Sequence, residues 1–266
     1  MWGAIIGDIV GSRFEFHNHR SKDFELFHRD CEFTDDSLMT IAVADALVKA
    51  GRSGSRALAE ETIRSMKSLA RMYPYMSWGL SFSEWLCEKY PEPYGSWGNG
   101  AAMRVSPVGW YARNAEEVKK LSYAVTAISH DHAEGLKGAE CTAMCVYLAK
   151  NGAAKAQIWA RAKKYYPEIG SYNCARLSKT YTFDGSCQGT VPQALTCFFE
   201  GKDFEDTIRN AVSIGGDSDT VAAIAGGVAE AFFGIPTALI DEAKLYLDDD
   251  LLQIAENIEK ELKRNG

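Results

Sequence analysis

The sequence predicts an all-α protein, and three observations carry that prediction. Apolar residues recur at three- and four-residue spacing along most of the chain, convincing period-two alternation is absent, and strong stop signals close several periodic runs. The first segment, MWGAIIGDIVGSRFEF, is apolar but interrupted by Asp8 and Arg13, and it places Gly3, Gly7 and Gly11 at every fourth position. That spacing is wrong for a dinucleotide fingerprint and puts the glycines on one helix face, where a second helix can approach closely. Gly226 and Gly227, set among alanines, offer a similar surface. Residues 38–50 place Leu38, Ile41, Ala42 and Ala46 on one face before Gly51 stops the run. Residues 55–72 read as a helix ending before Tyr73-Pro74, and 116–128 repeats apolar positions at Val118, Leu121, Val125 and Ile128. A helix over 133–150 stops at Asn151-Gly152, and further helices are expected over 153–165, 191–200, 203–213, 219–233 and 236–262. The stretches 73–107 and 166–190, rich in Tyr, Trp, Gly and Pro, read as long ordered loops of the kind that build sites. No low-complexity linker or fixed-period repeat divides the chain, so one domain over residues 1–266 is expected.

With 46% hydrophobic and 24% charged residues, the chain can bury a sizeable core. A formal net charge of -7 argues against a nucleic-acid backbone or an anionic membrane as the main partner, although a local basic pocket could still hold phosphates. No run approaches the roughly 18 apolar residues of a membrane span. The amino terminus has neither a basic start nor a small-residue cleavage site, so a signal peptide is not expected. The seven cysteines (Cys31, Cys87, Cys141, Cys145, Cys174, Cys187 and Cys197) form no C-x-x-C pair and no zinc-type grouping with histidine. They read as reduced, mostly buried thiols, which points to the cytoplasm.

Two short segments carry the chemistry. Phe33-Thr34-Asp35-Asp36-Ser37 precedes the helix at 38–50, and Gly215-Gly216-Asp217-Ser218-Asp219-Thr220 precedes the small-residue helix VAAIAGGVAEAFFG. Each alone reads as a helix cap, because acids in a first turn complement the helix dipole. Together they hold more acid than capping requires. Their oxygen-only donors suit hard cations such as Mg²⁺, Mn²⁺ or Ca²⁺. Should the clusters meet in space, four carboxylates and two hydroxyls could hold two metals. Neither segment has the ligand ladder of an EF-hand. Glu15, expected at the end of the first helix between Phe14 and Phe16, reads from composition alone as a snorkelling surface acid.

These residues, taken in order, resemble the ADP-ribosylglycohydrolase family over essentially the whole length. The resemblance runs through GAIIGDIVGSRFEF, FTDDS, GNGAAMRVSPVG, SHDHAEGLKGAE, GTVPQAL and GGDSDTVAAIAGGVAEAFFG. It implies a single compact orthogonal helical bundle carrying a binuclear Mg²⁺ or Mn²⁺ centre. It also implies hydrolysis of the glycosidic bond between ADP-ribose and a modified target, N- or O-linked. Carried over by position, the metal ligands are Thr34, Asp35, Asp36, Asp217, Asp219 and Thr220. Glu15 falls at the family's mobile glutamate, which reverses its surface reading; with Asp35 and Asp217 it makes up the expected catalytic set. The segment Asn99-Gly100-Ala101-Ala102-Met103-Arg104 resembles the lining of the ADP-ribose pocket, and His130 and His132 match a histidine-bearing loop beside it. Tyr94, Trp97 and Tyr181 are the candidates for stacking on adenine. A monomer acting on an ADP-ribosylated protein or other conjugate is expected, with nucleic acid only as a modified substrate. Two rival readings share the same residues: a non-catalytic ADP-ribose-binding or crystallin-like protein of this fold, and a two-metal phosphoesterase.

Overall fold

A computed structural model describes residues 1–265; Gly266, the last residue of the expected domain, and the side chains of Lys263 and Asn265 lie outside the described set. The described residues are predominantly helical. Its elements are α1 (Trp2–Ser12), α2 (Asp35–Ala50), α3 (Ser55–Met72), α4 (Leu80–Cys87), α5 (Gly100–Met103), α6 (Ser106–Tyr111), α7 (Ala115–Thr126) and α8 (Ala133–Lys150). There follow α9 (Lys155–Ala162), α10 (Cys174–Thr180), α11 (Cys187–Glu200), α12 (Phe204–Ser213), α13 (Ser218–Phe233), α14 (Thr237–Lys244) and α15 (Asp249–Asn265). Among the described residues the extended pairing consists of a lone bridge between Gly98 and Ser186.

The molecule is organised around α1 and α13. Residues Trp2 to Gly11 of α1 are all buried, as befits a helix that is apolar on every side. The glycine face works as the spacing predicted. A Cβ on Gly3 would stand 2.2 Å from the Gly226 carbonyl oxygen, one on Gly7 2.2 Å from that of Ala222, and one on Gly11 2.5 Å from Asp219 Cα. Residue numbers rise along α1 as they fall along α13, so the two helices run antiparallel in backbone contact. The C-terminal end of α1 therefore meets the N-terminal end of α13.

Several boundaries differ from the sequence expectation, each for a local reason. The first helix stops at Ser12, short of Glu15, because Asn18 Nδ2 turns the chain by donating to the carbonyls of Phe14 (2.8 Å) and Glu15 (3.0 Å). The expected helix over 236–262 is two helices. Asp248 restarts it by accepting from Leu251 N at 2.9 Å, and the Tyr73 hydroxyl holds Asp248 in place at 2.8 Å. A start at residue 191 would have put Pro192 in the first turn, where its missing N–H is harmless. Instead Ser186 caps α11 by accepting from Gly189 N at 3.1 Å, and Pro192 lies inside the helix. The two long irregular stretches contain the short helices α4, α5 and α10, and α6 begins at the end of the first of them.

Candidate metal centre and active site

Asp8 organises the first acidic cluster from the neighbouring helix. It is fully buried and accepts from Thr34 N (2.9 Å), Thr34 Oγ1 (2.7 Å) and Ser37 N (3.0 Å). Thr34 in turn is the N-cap of α2, accepting from Asp36 N at 3.2 Å. Capping is thus complete before Asp35 and Asp36 are used, and their carboxylates are left for another purpose. In the second cluster the acid at the cap position is itself left free of capping. Asp217 stands at the N-cap position of α13 but makes no side-chain capping bond, and its Oδ2 accepts from Asn99 Nδ2 at 2.7 Å.

The antiparallel pairing of α1 and α13 brings these groups together. Carboxylate oxygens of Asp8, Asp36 and Asp219 lie within 4.8 Å of one another, as do those of Glu15, Asp217 and Asp219. Thr220 Oγ1 donates to Asp36 Oδ2 at 3.1 Å across the junction, while Asp36 Oδ1 is buried with no hydrogen-bond partner among the described residues. The electrostatic consequence is severe. Burial raises the Asp8 carboxyl to about 6, and burial with repulsion from neighbouring acids raises Asp35 and Glu15 to about 7. Burial first, then neighbouring carboxylates, pushes Asp36 and Asp219 well above the ordinary range. A buried orphan oxygen among mutually repelling, oxygen-only donors is the environment a hard divalent cation relieves. The residues present therefore fit such an ion.

The cluster forms the floor of a cavity of about 720 Å³. One wall is the segment Tyr94–Gly100, tied to the start of α11 by Asn99 N donating to Gly185 O (2.8 Å) and Cys187 N donating to Trp97 O (2.9 Å). The Cys187 thiol also donates to Gly98 O at 3.2 Å. Around the mouth stand exposed apolar side chains, among them Phe16, Tyr75, Leu80, Trp97 and Phe183.

A profile of the ADP-ribosylglycohydrolase family matches residues 1–266. This chain belongs to the ADP-ribosylglycohydrolase family. Curated relatives include "ADP-ribosylhydrolase ARH3" of Mus musculus, 24% identical, with the match covering 88% of this chain and 82% of that protein. Another is "ADP-ribosylarginine hydrolase Tri1" of Pseudomonas putida, 25% identical over 88% of this chain and 69% of that one. Among solved structures, an "ADP-ribosylglycohydrolase-related protein complex" superposes with a TM-score of 0.71 at 23% identity, covering 99% of this chain and 95% of that one. The all-α architecture is the one that structure shares.

Within this member of the ADP-ribosylglycohydrolase family, most sequence-selected residues gather at one cavity. Glu15, Thr34, Asp35, Asp36, Asn99, Gly100, Met103, Arg104, His130, Asp217, Asp219 and Thr220 line it. Ala101 is buried in α5, away from the cavity surface. His132 is exposed; it is the N-cap of α8, its Nδ1 accepting from Glu134 N at 3.1 Å, and it meets Trp97 edge-on at 5.4 Å. Tyr181 cannot stack on a ligand, because it is packed beneath Gly216, where an added Cβ would lie 2.3 Å from its ring. Tyr94 and Trp97 are the two of the three that reach the cavity.

Sequence reasoning missed three organising residues. Asp8 was visible as a lone acid in an apolar helix, though only as an obstacle to a signal peptide. Asn18 and Arg20 carried no signal. Asn18 clamps Gly216 through both its N–H (2.8 Å) and its carbonyl (2.9 Å), and Arg20 donates to Ile214 O (2.7 Å) and Tyr181 O (2.8 Å). Both fix the turn at Gly215 and Gly216, whose φ values of 73° and 78° suit glycine alone.

Proposed function

We propose that this protein is a divalent-metal-dependent ADP-ribosylhydrolase that cleaves the bond between ribose C1″ and a nitrogen or oxygen of a modified target. The observation that carries the reading is the meeting of two acidic helix N-termini, the first already capped by Thr34, on the floor of a nucleotide-sized cavity in a chain of this family. Thr34, Asp35, Asp36, Asp217, Asp219 and Thr220 would hold two ions, Mg²⁺ or Mn²⁺. Bound there, the ions supply positive charge that orients the ribose hydroxyls and acidifies the attacking water.

The chain's own residues account for the rest. Leaving-group departure builds positive charge on the ribose, and the surrounding carboxylates stabilise it. Glu15, half-buried and gathered with Asp217 and Asp219, serves with Asp35 and Asp217 as the source of general-base catalysis. Asn99 fixes Asp217 by its 2.7 Å hydrogen bond. The small residues at Gly98 and Gly100 let the diphosphate approach the main chain, where the Gly100 N–H is the donor left over once Gly98 N and Asn99 N are bonded to Ser96 and Gly185, and Tyr94 or Trp97 stacks on the adenine. The unpaired thiols, six of them buried, suit a reducing cytoplasm.

The test is a cleavage panel of ADP-ribosyl-arginine, ADP-ribosyl-serine and ADP-ribosylated nucleic acid with Mg²⁺ or Mn²⁺, with and without EDTA, read by mass spectrometry. Metal-dependent release of intact ADP-ribose is expected from one of them, and Asp217→Ala abolishes it while keeping the helical circular-dichroism signal. Cleavage within the diphosphate would instead mark a phosphoesterase. Binding of ADP-ribose without turnover of any conjugate would mark a non-catalytic protein.

A further inference from the structure

Arg104 is a buried cation without an acid. Only 1% of its surface is accessible, it forms no ion pair among the described residues, and its guanidinium lies 5.7 Å from the Phe82 ring centre. Its Nη2 donates to Ser129 Oγ at 2.9 Å. Ser129, fully buried, stands 2.8 Å from His130 Nδ1, and Arg104 Nη2 is 3.5 Å from that same nitrogen.

Proton counting assigns every position in this chain. A guanidinium only donates, so the Ser129 oxygen accepts from Arg104. The serine hydroxyl then has one proton to place, and the acceptor beside it is His130 Nδ1. A proton on Nδ1 would leave that hydroxyl proton without an acceptor and would face the guanidinium N–H groups. Nδ1 therefore carries a lone pair, and the ring proton is on Nε2. Burial, and then the charge of Arg104, also oppose a second ring proton. Nε2 has no hydrogen-bond partner among the described residues and faces the pocket wall. A Cβ on Gly98 or Gly100 would lie 3.5 or 3.3 Å from it.

We propose that Arg104 and Ser129 are positioning residues that lock His130 as a neutral imidazole whose Nε2–H is a fixed hydrogen-bond donor to an acceptor oxygen of the bound nucleotide. His130 is thereby a binding group and takes no part in proton transfer. The nature of the acceptor rests on the function proposed above; the protonation state does not.

The first test needs no ligand. The full-length protein labelled with ¹⁵N-histidine is examined by long-range ¹H–¹⁵N correlation, with His130→Gln identifying the His130 signals. One neutral Nε2–H form is expected, unchanged between about pH 5 and about pH 8. An Nδ1–H form, a mixture, or an imidazolium in that range would overturn the proposal. Arg104→Met frees Ser129 to accept as well as donate, so a second tautomer or a titrating ring is expected. A folded Arg104→Met protein with the wild-type pattern would remove Arg104 from the relay. Should that variant fail to fold, the wild-type spectrum decides. Binding of ADP-ribose is then measured by calorimetry. His130→Ala is expected to weaken it about tenfold, and His130→Gln, whose amide can donate, to recover most of the loss. Equal loss in both variants refutes the donor role. A wild-type protein that binds no ADP-ribose refutes the proposed function and leaves the tautomer assignment standing.

Discussion

Substituting Gly7 with alanine tests whether backbone contact between α1 and α13 builds the acidic floor. The new Cβ would lie 2.2 Å from Ala222 O, 2.3 Å from Ala222 C and 2.6 Å from Ala223 N, all backbone atoms that no rotamer change can move aside. Restoring ordinary contact requires the helices to part by about 1 Å. Two effects compete. Alanine improves helix propensity by about 1 kcal/mol over glycine. Overpacking costs about 3 kcal/mol, the upper part of its usual range, because the obstruction is main chain. The net is a loss of about 2 kcal/mol, or about 4–8 °C in Tm for a chain of this size. The variant should also bind Mn²⁺ more weakly, although residue 7 carries no ligand, because Asp219 moves with α13 while Asp36 stays with Asp8 and α1. Differential scanning fluorimetry in EDTA and Mn²⁺ titration monitored by calorimetry read the two effects separately. A Gly7→Ala protein with unchanged or higher Tm and unchanged Mn²⁺ affinity would refute the contact and the link from it to the site.

Other consequences are as direct. Asp219→Asn should raise the Tm of EDTA-treated protein near neutral pH by removing the cost of burying an ionisable carboxyl among other acids, and should abolish stabilisation by Mn²⁺; thermal scans with and without the ion check both. The pH dependence has a definite sign. Carboxyls raised to about 6 at Asp8 and about 7 at Asp35 and Glu15 keep protons in the folded state that the unfolded chain has released. Metal-free stability is therefore greatest on the acid side of this window and falls as pH rises from about 4 to about 8, while the gain from added Mn²⁺ grows. A metal-free Tm that is level or rising across that window contradicts the burial of these acids. Asn18→Ala removes both bonds to Gly216 and should cost about 1–2 kcal/mol in urea unfolding, with weakened Mn²⁺ binding from a loosened Asp217.

Much of this was legible in the sequence because the informative signals were local. The helical repeats at 38–50, 55–72 and 133–150, the four-residue glycine spacing and the surplus of acid at two N-termini each express a short-range rule, and each reappears in the fold. What failed depended on partners distant in sequence. Tyr181 has the composition of a stacking residue but is packed beneath Gly216, 35 residues away in sequence. The second half of the expected 236–262 helix restarts at Asp248, which is held by Tyr73, 175 residues earlier. Asp8 caps a helix that begins at Asp35, and no capping pattern in sequence spans such a gap. The distinction between His130 and His132 likewise required knowing that one is sealed against Arg104 and the other begins α8.

The glycine face of α1 also acts as a ruler. A helix advances about 1.5 Å per residue, so sliding α13 by one glycine step would carry its carboxylates about 6 Å along α1. That exceeds the 4.8 Å within which Asp8, Asp36 and Asp219 are gathered. Intermediate offsets are blocked because side chains would meet main chain. The interface therefore has discrete settings, and one of them assembles the floor. Part of the aromatic mouth, at Tyr75 and Phe183, is carried by segments outside this interface, whereas Phe16 lies in the turn that Asn18 ties to Gly216. Exchanging Tyr75 or Phe183 reshapes the opening while the spacing of the acids below stays where the ruler set it.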